Sequence, residues 1–301
     1  MEQLDGDLLR HLLKESGGFV CLCFLPGVHD VKALEIAEVD GARLSLHGCG
    51  PTALLRLSDA FDLGDFAALE LRDLAIELDS DRGLALRRNR TVRLSGLTIE
   101  RREQSEREPC LLVEEATDLA MTGCVVGAGL PASAVIAGVT GDCRIDGNRF
   151  EGTLSFYGPP RDDLTEKYIE AHRSSPAMRF RGEGRLHFDG NDLQFLTVGG
   201  PIAEGLLDRV AIGVFQSAVL EANVFRSQRN TFVSTLLSFS ENHFTVVPED
   251  GAPYGVMVAM RAAAAGNVAA VVDDDALLHF LTPQGGFKGA ANQVFTRPPS
   301  P

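Results

Sequence analysis

Along nearly all of the 301-residue chain, apolar residues alternate with polar ones in short runs separated by Gly, Asp, Asn or Pro. Period two predicts β-strands with one buried face. One phrase recurs within the alternation: two alternating apolar positions, a small or acidic residue, Asn, then another apolar position. It reads CRIDGNRF from Cys143 to Phe150, LHFDGNDL from Leu186 to Leu193, VLEANVF from Val219 to Phe225 and LSFSENHF from Leu237 to Phe244. It returns more loosely around Asn267 and Asn292.

The residue before each Asn falls at Gly147, Gly190, Ala222, Glu241, Gly266 and Ala291, with gaps of 43, 32, 19, 25 and 25 residues. Upstream the same place is held without Asn by Gly48, Asp73, Gly96 and Gly123, at gaps of 25, 23, 27 and, to Gly147, 24. Repeats of roughly 20–30 residues are the mark of a solenoid. A second strand lies between phrases, as in GLALR from Gly83 to Arg87, AMRFR from Ala177 to Arg181, YGVMVAM from Tyr254 to Met260 and ALLHFL from Ala276 to Leu281. With no Asn-Gly hairpin signal, these strands are expected to coil in parallel. Ten or eleven rungs stacked at about 4.8 Å would make a rod of roughly 50 Å. The Asn is expected to take the left-handed conformation at a bend and to bond its amide to the Asn above and below, each bond contributing about 1 kcal/mol.

The opening segment differs. Leu4, Leu8, Leu9, Leu12 and Leu13 share one helical face, with Asp5, Asp7, Lys14 and Glu15 elsewhere. This predicts a short amphipathic helix covering the open strand edge of the first rung. The expected organisation is therefore a capping helix over residues 1–16, a parallel coil over 17–296 and a linker-like tail, 297–301.

Two stretches carry a family resemblance: GGFVCLCFLPGVHDV from Gly17 to Val31 and ALEIAEVDGARLSLHGCGP from Ala33 to Pro51. A glycine pair leading into a strand, a Pro-Gly turn, then short strands reaching a Gly-x-Gly turn resembles the first rungs of the pectin-lyase-like superfamily. The resemblance implies an all-β, right-handed parallel β-helix. It implies little about activity, because that superfamily holds lyases, hydrolases, epimerases, phage tailspikes and non-catalytic members. The hydrolase pattern of Asn-Thr-Asp, Asp-Asp, Gly-His-Gly and Arg-Ile-Lys is not matched: Asp-Asp occurs only at Asp162-Asp163 and within Asp273 to Asp275. Consecutive Asp273, Asp274 and Asp275 point alternately, so they suit an acidic turn better than a calcium site.

Composition narrows the partners. Asp and Glu number 42 against 28 Lys and Arg, a net charge of −14, which speaks against nucleic acid. The helical start lacks the basic cluster of a membrane-surface helix, and no secretory leader or membrane span is visible, so a cytoplasmic location is expected, or a place within a larger assembled or exported protein. There is no Trp, and Tyr occurs only at positions 157, 168 and 254, which leaves few of the flat aromatic platforms that sugar-binding grooves usually offer and weighs against a carbohydrate enzyme. Cys21, Cys23, Cys49, Cys110, Cys124 and Cys143 contain no CxxC pair. They are expected to be buried free thiols, with Cys21 and Cys23 packing on one strand face rather than holding zinc. The His residues do not cluster by spacing, and His47 is expected in a turn.

Long loops are where chemistry would sit. They are expected at 100–109, 158–176, 199–209 and 247–253. The second brings Arg161, Asp162, Asp163, Glu166, His172 and Arg173 toward Arg179 and Arg181. Paired carboxylates there would serve as acid and base for glycosidic cleavage, or an Arg of lowered pKa as base toward an acidic sugar. An enzyme would place Asp163, His172 and Arg179 around a concave groove with at least one carboxylate shielded from water. No catalytic, cofactor-binding or metal-binding residue is assigned, and no cofactor is implied. The expected function is a non-catalytic structural or binding module that presents loops to a protein partner or a polysaccharide. The alternative is a polysaccharide lyase or glycoside hydrolase beside 158–176. Side-by-side self-association of rods is a third expectation.

Overall fold

The computed structural model describes residues 4–49, 52–79, 82–102, 108–127, 132–157, 184–198, 215–226, 230–245, 255–271, 279–281, 287–290 and 293–296. It divides the chain into two units, Met1–Leu154 and Ser155–Pro301.

Helix α1 (Gly6–Glu15) forms where the Leu face predicts it. Asp5 caps it, its carboxylate accepting the Leu8 N–H at 2.8 Å, and Leu9 and Leu13 are buried. Among the described residues no helix is long and apolar enough to cross a membrane.

In the first unit the alternating runs become short strands, three to a turn. The first turn is β1 (Phe19–Phe24), β2 (Gly27–Val31) and β3 (Leu34–Ile36), and the second is β4 (Arg43–Gly48), β5 (Ala53–Leu57) and β6 (Phe61–Gly64). The third is β7 (Ala68–Arg72), β8 (Ala75–Leu78) and β9 (Leu84–Arg87). The fourth is β10 (Thr91–Ser95), β11 (Thr98–Arg101) and β12 (Leu111–Glu114). The fifth is β13 (Asp118–Thr122), β14 (Val125–Val126) and β15 (Ala134–Ala137), and the sixth opens with β16 (Asp142–Asp146) and β17 (Arg149–Tyr157). Each strand pairs in parallel with the one three places on, as in β1–β4–β7–β10–β13–β16 and β3–β6–β9–β12–β15. The result is an all-β, solenoid-like arrangement compatible with a parallel β-helix. In-register stacking puts like on like: Leu44, Leu69, Val92, Leu119 and Cys143 form one buried column.

The second unit repeats the scheme with β18 (Arg185–Asp189), β19 (Asp192–Val198), β20 (Phe215–Glu221), β21 (Val224–Phe225), β22 (Asn230–Ser240), β23 (His243–Phe244) and β24 (Gly255–Ala265). Strands β18, β20, β22 and β24 pair in parallel, as do β19, β21 and β23. Phe225, Phe239 and Phe244 stack in its interior with ring centroids 5.1–6.1 Å apart.

The bends follow one rule, and it corrects the expectation for Asn. The left-handed residue is the one before it: Gly147, Gly190, Ala222, Glu241 and Gly266 all have φ between 52° and 67°. The Asn itself turns inward and is buried. Asn223 donates both its backbone N–H and its side-chain amide to Asn242 Oδ1, at 3.0 and 2.9 Å, and Asn242 does the same to Asn267 Oδ1. The second amide hydrogen of Asn242 reaches Leu220 O at 3.0 Å. A buried amide is thus fully used, which is why the ladder tolerates a polar residue inside. Upstream, Asp73, Gly96 and Gly123 bend the chain the same way, and the inward residue is Leu74, Leu97 or Cys124. Gly48 does not share this conformation. It closes β4, where a Cβ would lie 2.1 Å from the Asp73 carbonyl oxygen, so close approach rather than a left-handed turn requires glycine there.

Candidate functional site

On the outer face of the first unit, register and side-chain size together make a groove. Arg43 lies beside Ala68, Leu69 opposite Val92 sets Ala68 beside Thr91, and Thr91 lies beside Asp118. The two small residues in the middle of this row form a floor. The parallel row one pleat along holds Ser45, Glu70 and Arg93, and Arg90 closes the near side just before β10. The enclosed space is about 450 Å³.

Its charges are unevenly committed. Glu70 accepts a hydrogen bond from the Ser45 hydroxyl at 3.2 Å, and Asp118 accepts the Asp142 N–H at 2.9 Å. Arg43, Arg90 and Arg93 are exposed and make no ion pair or side-chain hydrogen bond among the described residues. Guanidinium groups stay charged at any ordinary pH and present flat arrays of donors that match carboxylates. The lining therefore sets three guanidiniums beside two carboxylates, those of Glu70 and Asp118.

Three other arginines of the unit, Arg56, Arg87 and Arg88, are tied down. Arg56 donates to Glu77 at 2.7 Å and lies 3.5 Å from Asp30. Arg87 bridges Asp62 and Glu114, and Arg88 pairs with Asp65. Burial pushes the Asp62 carboxyl above the usual carboxylate range by more than Arg87 pulls it down, whereas Arg87, held by two acids, is raised. The hydrogen bond from Arg88 holds Asp65 below the usual range.

A second cluster lies on the same outer face, one turn earlier. Cys23 is in register with His47, which belongs to β4 rather than to a turn. Cys49 follows β4, and the donor atoms of Cys23, His47 and Cys49 lie within 4.8 Å of one another. Cys21 Sγ is 3.6 Å from His47 Nδ1. Cys23 and Cys49 are joined in a disulfide with a Cα–Cα separation of 5.9 Å, within the usual range. The expectation of buried free thiols therefore fails for three of the six cysteines. Cys21, Cys23 and Cys49 point outward on the polar face of their strands, while Cys110, Cys124 and Cys143 are buried and in no disulfide. Burial raises the Cys124 thiol to about 11 and pushes Cys110 and Cys143 up as well.

The loop residues Arg161, Asp162, Asp163, Glu166, His172, Arg173, Arg179 and Arg181 lie outside the described residues, as do Asp273, Asp274 and Asp275. Sequence reasoning missed the groove because it depends on which residues fall side by side one turn apart. Comparison with protein-family profiles, curated proteins and solved structures gives no match.

Proposed function

We propose that the chain is a parallel β-helix of the pectin-lyase-like kind, working as a non-catalytic binding module whose outer groove takes a carboxylate-bearing polysaccharide. Arg43, Arg90 and Arg93, without carboxylate partners among the described residues in a chain of net charge −14, carry this reading. Arg56, Arg87 and Arg88 have acids beside them, so three guanidiniums without such partners among the described residues, over a floor of Ala68 and Thr91, favour an anionic ligand. An extended polymer fits a groove that runs across stacked strands. The lining holds no aromatic ring, which favours acidic sugars over neutral ones that bind by stacking.

The test is equilibrium binding to a panel of uronate-containing and neutral polysaccharides, with product analysis alongside. Salt-sensitive binding of acidic polymers without chain cleavage is the expected result. Cleavage of any of them would replace the binding module with an enzyme. Binding restricted to neutral polymers, or to none, would overturn the assignment of the groove.

A further inference from the structure

We infer that Cys21, Cys23, His47 and Cys49 form a redox-gated site for a thiophilic divalent cation of the zinc class.

The four residues sit as two alternating pairs, C-x-C on β1 and H-x-C at the end of β4, stacked in parallel. Residues two apart on a strand face the same way, and the next rung lies about 4.8 Å away; the register sets Cys23 beside His47, with Cys21 two residues before Cys23 and Cys49 two residues after His47. Three thiols and one imidazole are a donor set that zinc accepts in tetrahedral geometry. With Zn–S near 2.3 Å and Zn–N near 2.0 Å, donor atoms of such a site stand about 3.5–3.8 Å apart. The 3.6 Å between Cys21 Sγ and His47 Nδ1 already matches that edge. Cys23, His47 and Cys49 have donor atoms within 4.8 Å of one another, and Cys21 joins them through His47.

The Cys23–Cys49 disulfide is the closed state of this site, since a bonded sulfur pair offers no thiolate. A dithiol reductant opens it: two electrons and two protons convert the disulfide to two thiols, and the reductant leaves as its own disulfide. One Zn²⁺ then displaces three thiol protons and binds three thiolates and the neutral imidazole. Oxidation by a disulfide of a small thiol reverses the sequence and expels the metal. Either state ties the first turn to the second.

Cobalt(II) and zinc titrations of the chain, first oxidised and then reduced with a phosphine, test the proposal. Reduced protein is expected to give tetrahedral cobalt bands with thiolate charge transfer, lost on adding zinc; oxidised protein is expected to give neither. His47→Ala and Cys49→Ser should each weaken zinc by more than the roughly 10–100-fold typical of residues that only support a ligand. Cys124→Ala should leave the bands unchanged. Both variant side chains point outward, and circular dichroism confirms that each folds before titration. A reduced wild type without these bands would overturn the site. So would bands that persist unchanged in folded His47→Ala and Cys49→Ser, because the metal would then be held elsewhere.

Discussion

Two sets of arginines in the first unit are used differently. On β5 and β9, which belong to different strand stacks, Arg56 and Arg87 each hold two acids from neighbouring turns. Across β4, β7 and β10, Arg43, Arg90 and Arg93 hold none among the described residues. Arg93 even lies in register with Glu70, yet Glu70 bonds to Ser45 instead. Counting charges would treat the two sets alike. What separates them is whether the guanidinium has an acid partner among the described residues.

The comparison breaks most visibly if the uncommitted face is reversed in sign. Replacing Arg43, Arg90 and Arg93 together by Glu is expected to lower affinity for an acidic polysaccharide by more than about 100-fold in a direct titration, because three attractions become repulsions. Arg93→Ala alone should cost about tenfold, one charge-assisted contact, with little change in unfolding midpoint. Arg87→Ala should do the opposite. It leaves half-buried Asp62 without its cation and is expected to destabilise the unit by about 1–2 kcal/mol in urea unfolding, between an exposed pair and a buried one, while binding is unchanged.

The smallest effect lies in acid. Asp65 is held below its unfolded value by Arg88, so its contribution is complete above the ordinary carboxylate pKa of about 3.9 and is lost as pH falls through the lower folded value. Asp62, raised by burial, acts with the opposite sign and costs stability as pH rises through that region. Arg88→Ala should therefore make the loss of stability below about pH 4 shallower, as read from unfolding midpoints across pH.

Much of the fold was legible because the bends at Gly96, Gly123, Gly147, Gly190 and Gly266 use the residue that a left-handed backbone favours. Asn148, Asn223 and Asn242 then mark where a buried amide replaces an apolar side chain, the role taken by Leu74 and Leu97 upstream. A second column of left-handed residues was not legible. Glu38, Asp65, Arg88 and Glu115 adopt the same conformation with ordinary charged side chains. Their cost is met by backbone bonds to the next turn, as from Arg88 N–H to Glu114 O at 2.8 Å, and no sequence signature reports that. Asn89 repeats the inward amide there, its Oδ1 accepting the Phe66 N–H at 2.9 Å, but without neighbouring copies it reads as a solitary polar residue.

The candidate sites were less legible than the coil. The strand alternation correctly put Cys21 and Cys23 on one face. Subtracting one turn would have set His47 beside Cys23, a signal present in the repeat spacing but hidden while each strand was read alone. The groove needed more: the size of Ala68 and Thr91 matters only once they are known to be neighbours across turns.

The most direct measurement compares Arg93→Glu with Arg87→Glu for binding of one uronate polysaccharide at low ionic strength. Both variants change net charge equally. If the uncommitted guanidiniums form the site, Arg93→Glu loses binding and Arg87→Glu keeps it. Equal loss in both would reduce the effect to bulk charge, and binding retained by Arg93→Glu would place the ligand elsewhere; either result contradicts the account.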